Sequence, residues 1–423
     1  MMSNMCIPDF QNLLSREEVI RRIIGQWKVR RRTERIPVER ALERIPAKEV
    51  FSRVTLPVFR ASGGDGVAVS SGRFSQGMPD TSSWVPGRDF ARADTGDDFD
   101  DAFDAVIMIE NVDLSPEGRL TIHQEVQVTP GMNVRPAGST IKAGDPLVKA
   151  FLPLRPKDLA ILQMGGIEEI EVLEKPVVAF IPSGSELISP GTALARGKNI
   201  DTNSLLVGET LRQFGAEPLC FPIVRDEFAP LEQALADALS KADIVIINGG
   251  SSKGKEDCTA TLLHRKGRVL CHGAQAVPGK PLCAAMIEGK PVINLPGPLM
   301  AAYHGLEWCI NSLVSHYLMQ PPQKRQRIKA TLTRELRGSD IVSMLMVVEV
   351  SAKKDGGGFW ATPYSFREIP IWRTIASNAQ YMTKLNEYIP EGGEIEVELL
   401  RGLEYIPAED FPGLHRDATP SGR

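Results

Sequence analysis

Residues 242–259, ADIVIINGGSSKGKEDCT, join a short apolar run to a turn rich in glycine and serine. Ile244–Ile247 is a continuous β-branched run, typical of a parallel strand that helices cover on both faces. Gly249 and Gly250 permit a sharp turn and a close approach of the backbone to a ligand. The segment therefore predicts a buried strand, a turn and a helix. Two interpretations of the turn stay open: an anion site that includes Ser251, or an ordinary strand-to-helix connection.

The alternation of strand-like and helix-like patterns extends over residues 177–318. Strands are predicted at 177–181, 218–224 and 244–247, near Val269 and near Val292, and helices at 204–214, 231–239, 260–265 and 299–318. This alternation predicts an open, largely parallel sheet with helices on both faces, a doubly wound α/β domain. Ligands bind beyond the carboxyl ends of such strands, so the candidate site comprises the loops at 183–186, 249–257 and 295–298.

Two other turns each carry one charged residue. Asp65 lies between glycines in ASGGDGVAV, which places a carboxylate on a tight turn suited to a metal or phosphate. Lys280 lies in PGKPLC, residues 278–283, where the flanking prolines and glycine restrict its backbone. A surface Asp-Gly turn and a solvated lysine are the alternative interpretations.

The rest of the chain has a simpler pattern. Ser15–Trp27 predicts an amphipathic helix with a capping box at Ser15, and a second helix is predicted from Val38 to near Pro46. Residues 52–136 predict a β-rich module, and residues 330–400 predict a small barrel or sandwich. A polar tail after Asp410 is expected to be disordered.

Composition excludes several classes of protein. A net charge of −4 argues against a general nucleic-acid binder, which needs a basic excess. We expect no membrane span, because no run of about 18 apolar residues occurs, and no signal peptide at the amino terminus. The six cysteines and six histidines lack metal-ligand spacings, which indicates free thiols in a reducing compartment, and we therefore expect a cytoplasmic protein.

Nine segments, taken in order, resemble the molybdopterin molybdotransferase family, which includes bacterial MoeA and the gephyrin E domain. They are IPVERALERIPAKEV, LPVFRASGGDGVAV, GMNVRPAGSTIKAGDPL, VVAFIPSGSELISPG, NIDTNSLLVGETLRQFGAE, IVRDE, INGGSSKGKEDCT, PGKPLC and NLPGPLMAAY. The resemblance spans residues 10–405 and therefore concerns nearly the whole chain.

The resemblance implies an elongated homodimer with four parts in each subunit. These are a discontinuous domain (10–50 with 137–175), an inserted β-rich domain (51–136), an α/β molybdopterin-binding domain (176–322) and a C-terminal β-barrel (326–405). The implied reaction inserts molybdate into the dithiolene of adenylylated molybdopterin, with Mg²⁺ and release of AMP. The implied partners are a molybdopterin adenylyltransferase and recipient molybdoenzymes, with no nucleic acid and no membrane.

The resemblance also implies roles for individual residues. The carboxylates and the lysine suit a metal and phosphate groups, and the small residues suit contacts with the pterin. The implied catalytic residues are Asp65, Glu186, Asp257 and Lys280; the metal ligands are Asp65, Glu186, Asp226 and Asp257; and the cofactor-binding residues are Ser183, Gly184, Thr202, Asn203, Gly249, Gly250, Ser251, Pro296 and Gly297. We expect the loops of Asp65, Glu186 and Asp257 to converge into one pocket, with two loops from one subunit and one from its mate.

Several positions depart from the family pattern, including Gly64 in place of a methionine and LPGPLMA in place of L-P-G-N-P-V-S-A. Arg60 and Thr140 stand where the family has carboxylates, Ser185 replaces an aspartate, and Val277 replaces the first lysine of K-P-G-K-P. Loss of carboxylates at Thr140 and Ser185 should weaken binding of a divalent cation. Two alternatives to a transferase therefore follow: a non-catalytic molybdopterin carrier, or a gephyrin-like scaffold that binds a protein partner.

Overall fold

The computed structural model describes residues 13–123, 126–249, 258–354 and 356–408. The chain forms two compact units, one of residues 32–174 and the other of residues 1–31 with 175–423. The first described helix, α1 (Arg16–Gln26), begins where the Ser15 hydroxyl accepts the backbone N–H of Glu18 at 3.2 Å. Its buried face carries Val19 and Ile23, so the predicted amphipathic helix is confirmed.

The unit of residues 32–174 is rich in short strands. Its core collects Val67, Phe90 and Ile107, which agrees with the predicted β-rich module. The elements are β1 (Thr33–Pro37), β2 (Val50–Phe51), β3 (Ala61–Ser62), β4 (Gly66–Val69), β5 (Phe90–Ala93), β6 (Ala105–Met108), β7 (Val112–Leu114), β8 (Leu120–Ile122), β9 (Val134–Arg135), β10 (Pro146–Val148), α2 (Pro156–Met164) and β11 (Glu169–Leu173), with 3₁₀ turns at Val38–Arg40, Ser71–Phe74 and Ile109–Asn111.

The helix predicted from Val38 to Pro46 is wrong. β1 pairs with β11 as far as Pro37, and only the 3₁₀ turn Val38–Arg40 follows before the chain adopts irregular structure. Val38 and Ala41, whose spacing suggested a helix, are fully buried against α2 and β11 nevertheless. Their burial without a helix shows why apolar spacing alone is ambiguous over a short segment.

The α/β domain follows. Its elements are β12 (Val177–Pro182), β13 (Leu187–Ile188), β14 (Asn199–Ile200), α3 (Asn203–Gln213), β15 (Glu217–Cys220), α4 (Phe228–Lys241), β16 (Ile244–Asn248), α5 (Cys258–Lys266), β17 (Arg268–His272), β18 (Ala276–Val277), β19 (Cys283–Ile287), β20 (Lys290–Leu295), α6 (Leu299–Gly305), a π-helical turn (Leu306–Ile310) and α7 (Asn311–Tyr317).

Six of these strands form one sheet in the order β15-β12-β16-β20-β19-β17. The first four strands are mutually parallel, and α4 and α5 bury one face through a core that includes Ile181, Leu235 and Ile247. At the edge formed by β19 and β17, the pairings of β20 with β19 and of β19 with β17 are antiparallel. The α/β fold class is confirmed, with an antiparallel edge that the sequence interpretation did not include.

Strand β19 was missed because PGKPLC was read as a turn without a following strand. The two residues between β19 and β20, Glu288 and Gly289, both have positive φ, at 51° and 76°. Two consecutive positive φ values are the geometry of a type I′ hairpin turn, which matches the twist of antiparallel strands. The dipeptide Glu-Gly between two apolar runs was therefore the available signal for this hairpin.

The C-terminal part is a closed barrel. The ring runs β23 to β24, β21, β27, β25 and back to β23, so five strands pair without a free edge. This resolves the choice between barrel and sandwich. The elements are β21 (Arg327–Leu332), β22 (Leu336–Arg337), β23 (Ser343–Ala352), β24 (Phe359–Ser365), α8 (Ile371–Ala376), β25 (Ala379–Met382), β26 (Tyr388–Ile389) and β27 (Glu394–Leu399), followed by a 3₁₀ turn at Leu403–Tyr405.

Within the described ranges, no helix is both long enough and apolar enough to cross a membrane. The expected disorder of the tail after Asp410 concerns residues outside those ranges. The division into four parts with the boundaries given above stays a prediction.

Candidate functional site at the strand ends

The carboxyl ends of three neighbouring parallel strands lie in one row. Pro182, the last residue of β12, pairs in register with Asn248 of β16, and Asn248 pairs with Leu295 of β20. The chain therefore leaves all three strands at the same edge of the sheet, at Ser183, Gly249 and Pro296. This is the edge at which the sequence predicted a ligand site.

Two buried asparagines lock the loops at this edge together. The Asn248 amide donates to the backbone carbonyls of Leu295 (3.2 Å) and Pro296 (2.9 Å). Asn203, at the start of α3, donates to Asn248 Oδ1 at 2.8 Å and to the Gly297 carbonyl at 2.7 Å. The sequence interpretation named Asn203 but missed Asn248, whose one signal was an amide ending an otherwise apolar strand. The network fixes the turn after β20 against the start of α3.

Gly249 occupies a position that accepts no other residue without movement. Its φ is +124°, and an added Cβ would lie 2.0 Å from the Ser183 carbonyl oxygen. Its N–H donates to the Leu295 carbonyl at 3.1 Å. The backbone at this glycine therefore closely approaches a neighbouring strand end, and its predicted approach to a ligand stays a prediction. Gly250 and Ser251, which were predicted to continue the turn, lie outside the described residues.

Two buried polar atoms at this edge lack partners. Ser183 is 2% exposed and Asn203 is 8% exposed. Neither the Ser183 hydroxyl nor the Asn203 Oδ1 has a hydrogen-bond partner among the residues that the structure describes. A buried polar atom without a partner costs about 1–3 kcal/mol, which a bound ligand or water would recover. These atoms, together with the buried backbone at Gly184, form a group of buried polar atoms at the end of β12, which is called the polar recess below.

Two carboxylates lie near the same recess. Asp226 is half-buried, and its Oδ1 has no hydrogen-bond partner within the described ranges. Burial raises the pKa of Asp226, and the nearby Glu186 carboxylate raises this pKa further. Glu186 is exposed and bends back over Gly184, where an added Cβ would lie 2.8 Å from Glu186 Oε1. Two carboxylates that repel each other form a place for a cation, because a divalent ion neutralises both.

The described residues contain no cluster of three or more acidic, histidine or cysteine side chains arranged to hold a metal. Asp257, the third carboxylate expected here, lies outside those residues. The structure therefore brings together Glu186 and Asp226 of the predicted metal ligands, and the role of Asp257 stays a prediction.

The Lys280 loop reaches the same edge of the sheet. β19 begins at Cys283, which pairs with Asn294 near the end of β20. The loop is held by a backbone hydrogen bond from Ala274 N to Lys280 O (2.9 Å) and by the buried imidazole of His304, whose Nδ1 lies 2.7 Å from Pro278 O. Burial lowers the pKa of His304 to about 4, so the neutral ring donates this hydrogen bond at physiological pH. The sequence interpretation missed His304.

Asp201, and not the exposed Thr202, provides the side-chain cap at the start of α3. Thr202 is exposed and makes no side-chain hydrogen bond to the start of α3. The buried Asp201 accepts the Ser204 N–H at 3.1 Å instead, and the carboxylate stabilises the positive end of the helix. The predicted contact of Thr202 with a ligand stays a prediction.

Asp65 belongs to the other unit, residues 32–174. Its Oδ1 accepts the Thr95 N–H at 2.7 Å and the Thr95 hydroxyl at 2.8 Å, and these two bonds lower the pKa of Asp65. The neighbouring Gly66 is required by packing, because an added Cβ would lie 2.1 Å from Ile107 O. Asp65 is therefore held as an exposed, ionised carboxylate. Its convergence with Glu186 and Asp257 stays a prediction.

The departures from the family pattern have local structural roles. Arg60 stacks over the Phe99 ring (4.9 Å to the centroid) and pairs with Asp101 at 3.1 Å. Thr140 accepts a hydrogen bond from Arg135 at 2.5 Å, so this arginine has a neutral partner where a carboxylate would form an ion pair. Val277 lies in β18, which pairs with barrel strand β23, and the Ser185 carbonyl accepts a hydrogen bond from Lys198 at 2.7 Å.

Replacing Asn203 with alanine is expected to lower the free energy of unfolding by about 2 kcal/mol, because Asn248 Oδ1 and the Gly297 carbonyl both lose a donor. Urea unfolding of the purified chain measures this change. Thr202→Ala, one residue away on the exposed surface, is the matched control and should change stability by less than about 0.5 kcal/mol. Equal effects of the two substitutions would contradict the network.

The fold and the strand ends define a multidomain α/β protein with a candidate ligand site at the carboxyl edge of its sheet. Residues 14–166 match the family model of the MoeA N-terminal region (domain I and II), and residues 184–316 match that of a probable molybdopterin binding domain. The two matches together include most of the chain. The chain belongs to the MoeA family, and the resemblance is confirmed.

Individual relatives agree with this membership. The chain is 31% identical to the molybdopterin molybdenumtransferase of Haemophilus influenzae over 265 residues, which are 60% of this chain and 65% of that protein. It is 28% identical to molybdopterin molybdenumtransferase 2 of Mycobacterium tuberculosis over 312 residues, 68% of this chain and 76% of that protein. The match to the Haemophilus influenzae protein thus spans less than two thirds of its length.

Solved structures extend the likeness to the whole fold. The molybdopterin biosynthesis MoeA protein from Pyrococcus horikosii superposes with a TM-score of 0.76 at 25% identity, over 92% of this chain and 100% of that chain. A second MoeA structure from Pyrococcus horikoshii OT3, at 21% identity and a TM-score of 0.70, has the same fold over the same shares of the two chains. The α/β domain, the β-rich part and the C-terminal barrel are therefore features of a MoeA fold.

Proposed function

We propose that this chain is a molybdopterin molybdenumtransferase that inserts molybdate into adenylylated molybdopterin and releases AMP during molybdenum cofactor biosynthesis. One observation carries the proposal: the Ser183 hydroxyl and Asn203 Oδ1, which have no hydrogen-bond partner among the described residues, lie at the strand ends of the domain that matches a molybdopterin-binding model. The names of the relatives in Haemophilus influenzae and Mycobacterium tuberculosis support a transfer of molybdenum to molybdopterin, and the family resemblance supplies the adenylylated substrate and the release of AMP.

The pterin substrate binds at the strand ends in this proposal. Ser183 and Asn203 satisfy its polar groups, and the backbone at Gly249 permits its close approach. The Lys280 ammonium binds a phosphate from the neighbouring loop. The remaining proposed contacts come from the other small and polar residues of these loops, which are Gly184, Thr202, Gly250, Ser251, Pro296 and Gly297.

The residues present fit a divalent metal. Asp226 offers an oxygen without a hydrogen-bond partner among the described residues, and Glu186 supplies a second carboxylate nearby. These two residues, with Asp257 and Asp65 as predicted further ligands, would hold Mg²⁺, which neutralises phosphate charge when bound. Exposed Glu186 is able to turn toward an ion, because its carboxylate makes no hydrogen bond among those that the structure records.

The proposal includes three finer features that rest on the family resemblance. The chain acts as a cytoplasmic homodimer, in which the Asp65 turn of one subunit completes the site of its mate. It receives its substrate from a molybdopterin adenylyltransferase and delivers its product to recipient molybdoenzymes. Sedimentation of the purified chain at twice the monomer mass is the expected result for the first of these features.

The activity is tested by incubating the purified chain with adenylylated molybdopterin, molybdate and Mg²⁺ and measuring AMP. We expect release that requires both molybdate and the metal. The Haemophilus influenzae relative assayed in parallel is the positive control. Pterin binding without AMP release, under conditions in which that control works, would contradict a transferase and favour the non-catalytic carrier. An intact dimer that binds no pterin would favour the scaffold.

A further inference from the structure

A cavity of about 250 Å³ lies away from the strand-end site, between the α/β domain and the barrel. Helix α3 begins beside the strand ends and runs back, so that Gln213 and Phe214, at its end, lie where the next strand begins. These two residues form one wall of the cavity, and the end of β27 forms another. The cavity is therefore at the opposite edge of the sheet from Ser183 and Gly249.

The connector from the α/β domain to the barrel, residues 318–326, borders this cavity and is held in place by hydrogen bonds. Buried Asn311 donates to the Gln323 carbonyl at 3.1 Å and accepts the Gln323 N–H at 3.2 Å. The Gln323 side chain donates to the Gln213 carbonyl at 3.1 Å, and Leu399 N donates to Gln326 O at 2.8 Å. The connector thus has a fixed path, and the cavity walls are preorganised.

The side chains around the cavity carry an excess of positive charge. Lys324, Arg325 and Arg401 line it together with a single carboxylate, Glu307. Arg325 and Glu307 neutralise each other through two hydrogen bonds of 3.0 and 2.9 Å. Lys324 and Arg401 have no ion pair or hydrogen bond through their side chains to any residue that the structure describes. Two uncompensated cations therefore border one cavity, in a chain whose net charge is −4.

We propose that this cavity binds a small dianion, either a phosphate group or a dicarboxylate. Two cations that line one cavity match two negative charges, and charge-assisted hydrogen bonds are the strong ones. The volume is below the range usual for drug-sized ligands, so the cavity suits an anionic group of a few atoms.

The bound anion would link two parts of the chain. Lys324 belongs to the connector, and Arg401 follows β27 of the barrel. A dianion between them therefore stabilises the contact of the barrel with the α/β domain. Arg401 also borders a neighbouring cavity with Glu404, so Lys324 is the cleaner position to substitute.

Calorimetry and thermal unfolding of the full chain test the proposal, with inorganic phosphate, succinate and chloride compared at one ionic strength. We expect phosphate, succinate or both to bind and to raise the midpoint of unfolding above its value in chloride. Lys324→Gln should weaken this binding by roughly tenfold, because it removes one charge-assisted contact. Binding of phosphate alone would assign a phosphate group as the ligand, and binding of succinate alone would assign a dicarboxylate.

Two further variants separate this site from others. Lys384→Gln changes an exposed lysine that does not line the cavity, and it should leave binding unchanged. Lys280→Gln removes the proposed phosphate contact of the strand-end site and should leave the Lys324-dependent part of the binding unchanged, so the result is independent of the proposed transferase activity. The proposal is wrong if neither dianion exceeds chloride, or if Lys324→Gln leaves the binding of both dianions unchanged.

Discussion

Replacing Gly249 with alanine is expected to lower the free energy of unfolding by about 3 kcal/mol and to abolish pterin binding. An alanine at φ +124° is strained, and its Cβ would lie 2.0 Å from the Ser183 carbonyl oxygen. Relief of this clash must separate β12 from β16 at their ends, where the buried recess lies. Urea unfolding and calorimetric titration with adenylylated molybdopterin measure the two effects.

Gly297→Ala is the matched control for this prediction. Among the described residues, an added Cβ at Gly297 would meet only Gly249 Cα, at 3.9 Å, and the φ of Gly297 is not in the positive range. We expect its stability to change by less than about 1 kcal/mol. If Gly249→Ala were as stable as Gly297→Ala, the strand ends would not be packed as the structure describes.

Replacing Asp226 with asparagine is expected to reduce AMP release by roughly a hundredfold and to raise stability at neutral pH. The loss of activity follows from removing the carboxylate that offers a partially buried oxygen to Mg²⁺. The gain in stability follows because burial and the Glu186 charge both disfavour the ionised form of Asp226. A substitution that stabilises the fold while removing activity is the behaviour of a functional residue.

The raised pKa of Asp226 determines how the stability of the Asp226→Asn variant, relative to the native chain, changes with pH. The pKa of Asp226 is raised in the folded chain, so the folded state binds the proton more tightly than the unfolded state. Its favourable contribution is complete below the ordinary carboxyl pKa of 3.8 and is lost as the pH rises through the raised value in the fold. The variant should therefore be more stable than the native chain at pH 7, and the difference should vanish in acid.

Two controls accompany the Asp226 variant. Glu227→Gln removes the adjacent exposed carboxylate, which makes no side-chain hydrogen bond to α4, and it should leave AMP release within about twofold of native. Excess Mg²⁺ should raise the unfolding midpoint of the native chain but not that of Asp226→Asn. Normal AMP release by the Asp226→Asn variant would show that Asp226 is not a metal ligand.

The parallel part of the sheet was predictable from sequence because its strands are continuous apolar runs. Ile244–Ile247 is fully buried, as its composition indicated. The helix predicted after Val38 failed because a short apolar spacing is also satisfied by an irregular chain packed on α2 and β11. The antiparallel edge was missed because its evidence is a two-residue turn, Glu288 and Gly289, and not an apolar run.

The candidate site was predictable as a set of loops, but the interactions that hold it together were not. Loops after Pro182, Asn248 and Leu295 follow from strand order in a parallel sheet. Asn248 and His304 act on backbone carbonyls that are far away in sequence, and no local pattern reveals such bonds. The predicted joining of Asp65 to this site would depend on the assembly of two subunits, which strand patterns do not encode.

Hydrogen exchange with and without adenylylated molybdopterin most directly tests the claim that the strand ends form the pterin site. The account predicts slower exchange on binding in the segments that follow β12 and β20, residues 183–187 and 295–299. Gly249→Ala should lose this protection. Binding that leaves both segments unchanged and slows exchange only elsewhere in the chain would contradict the account.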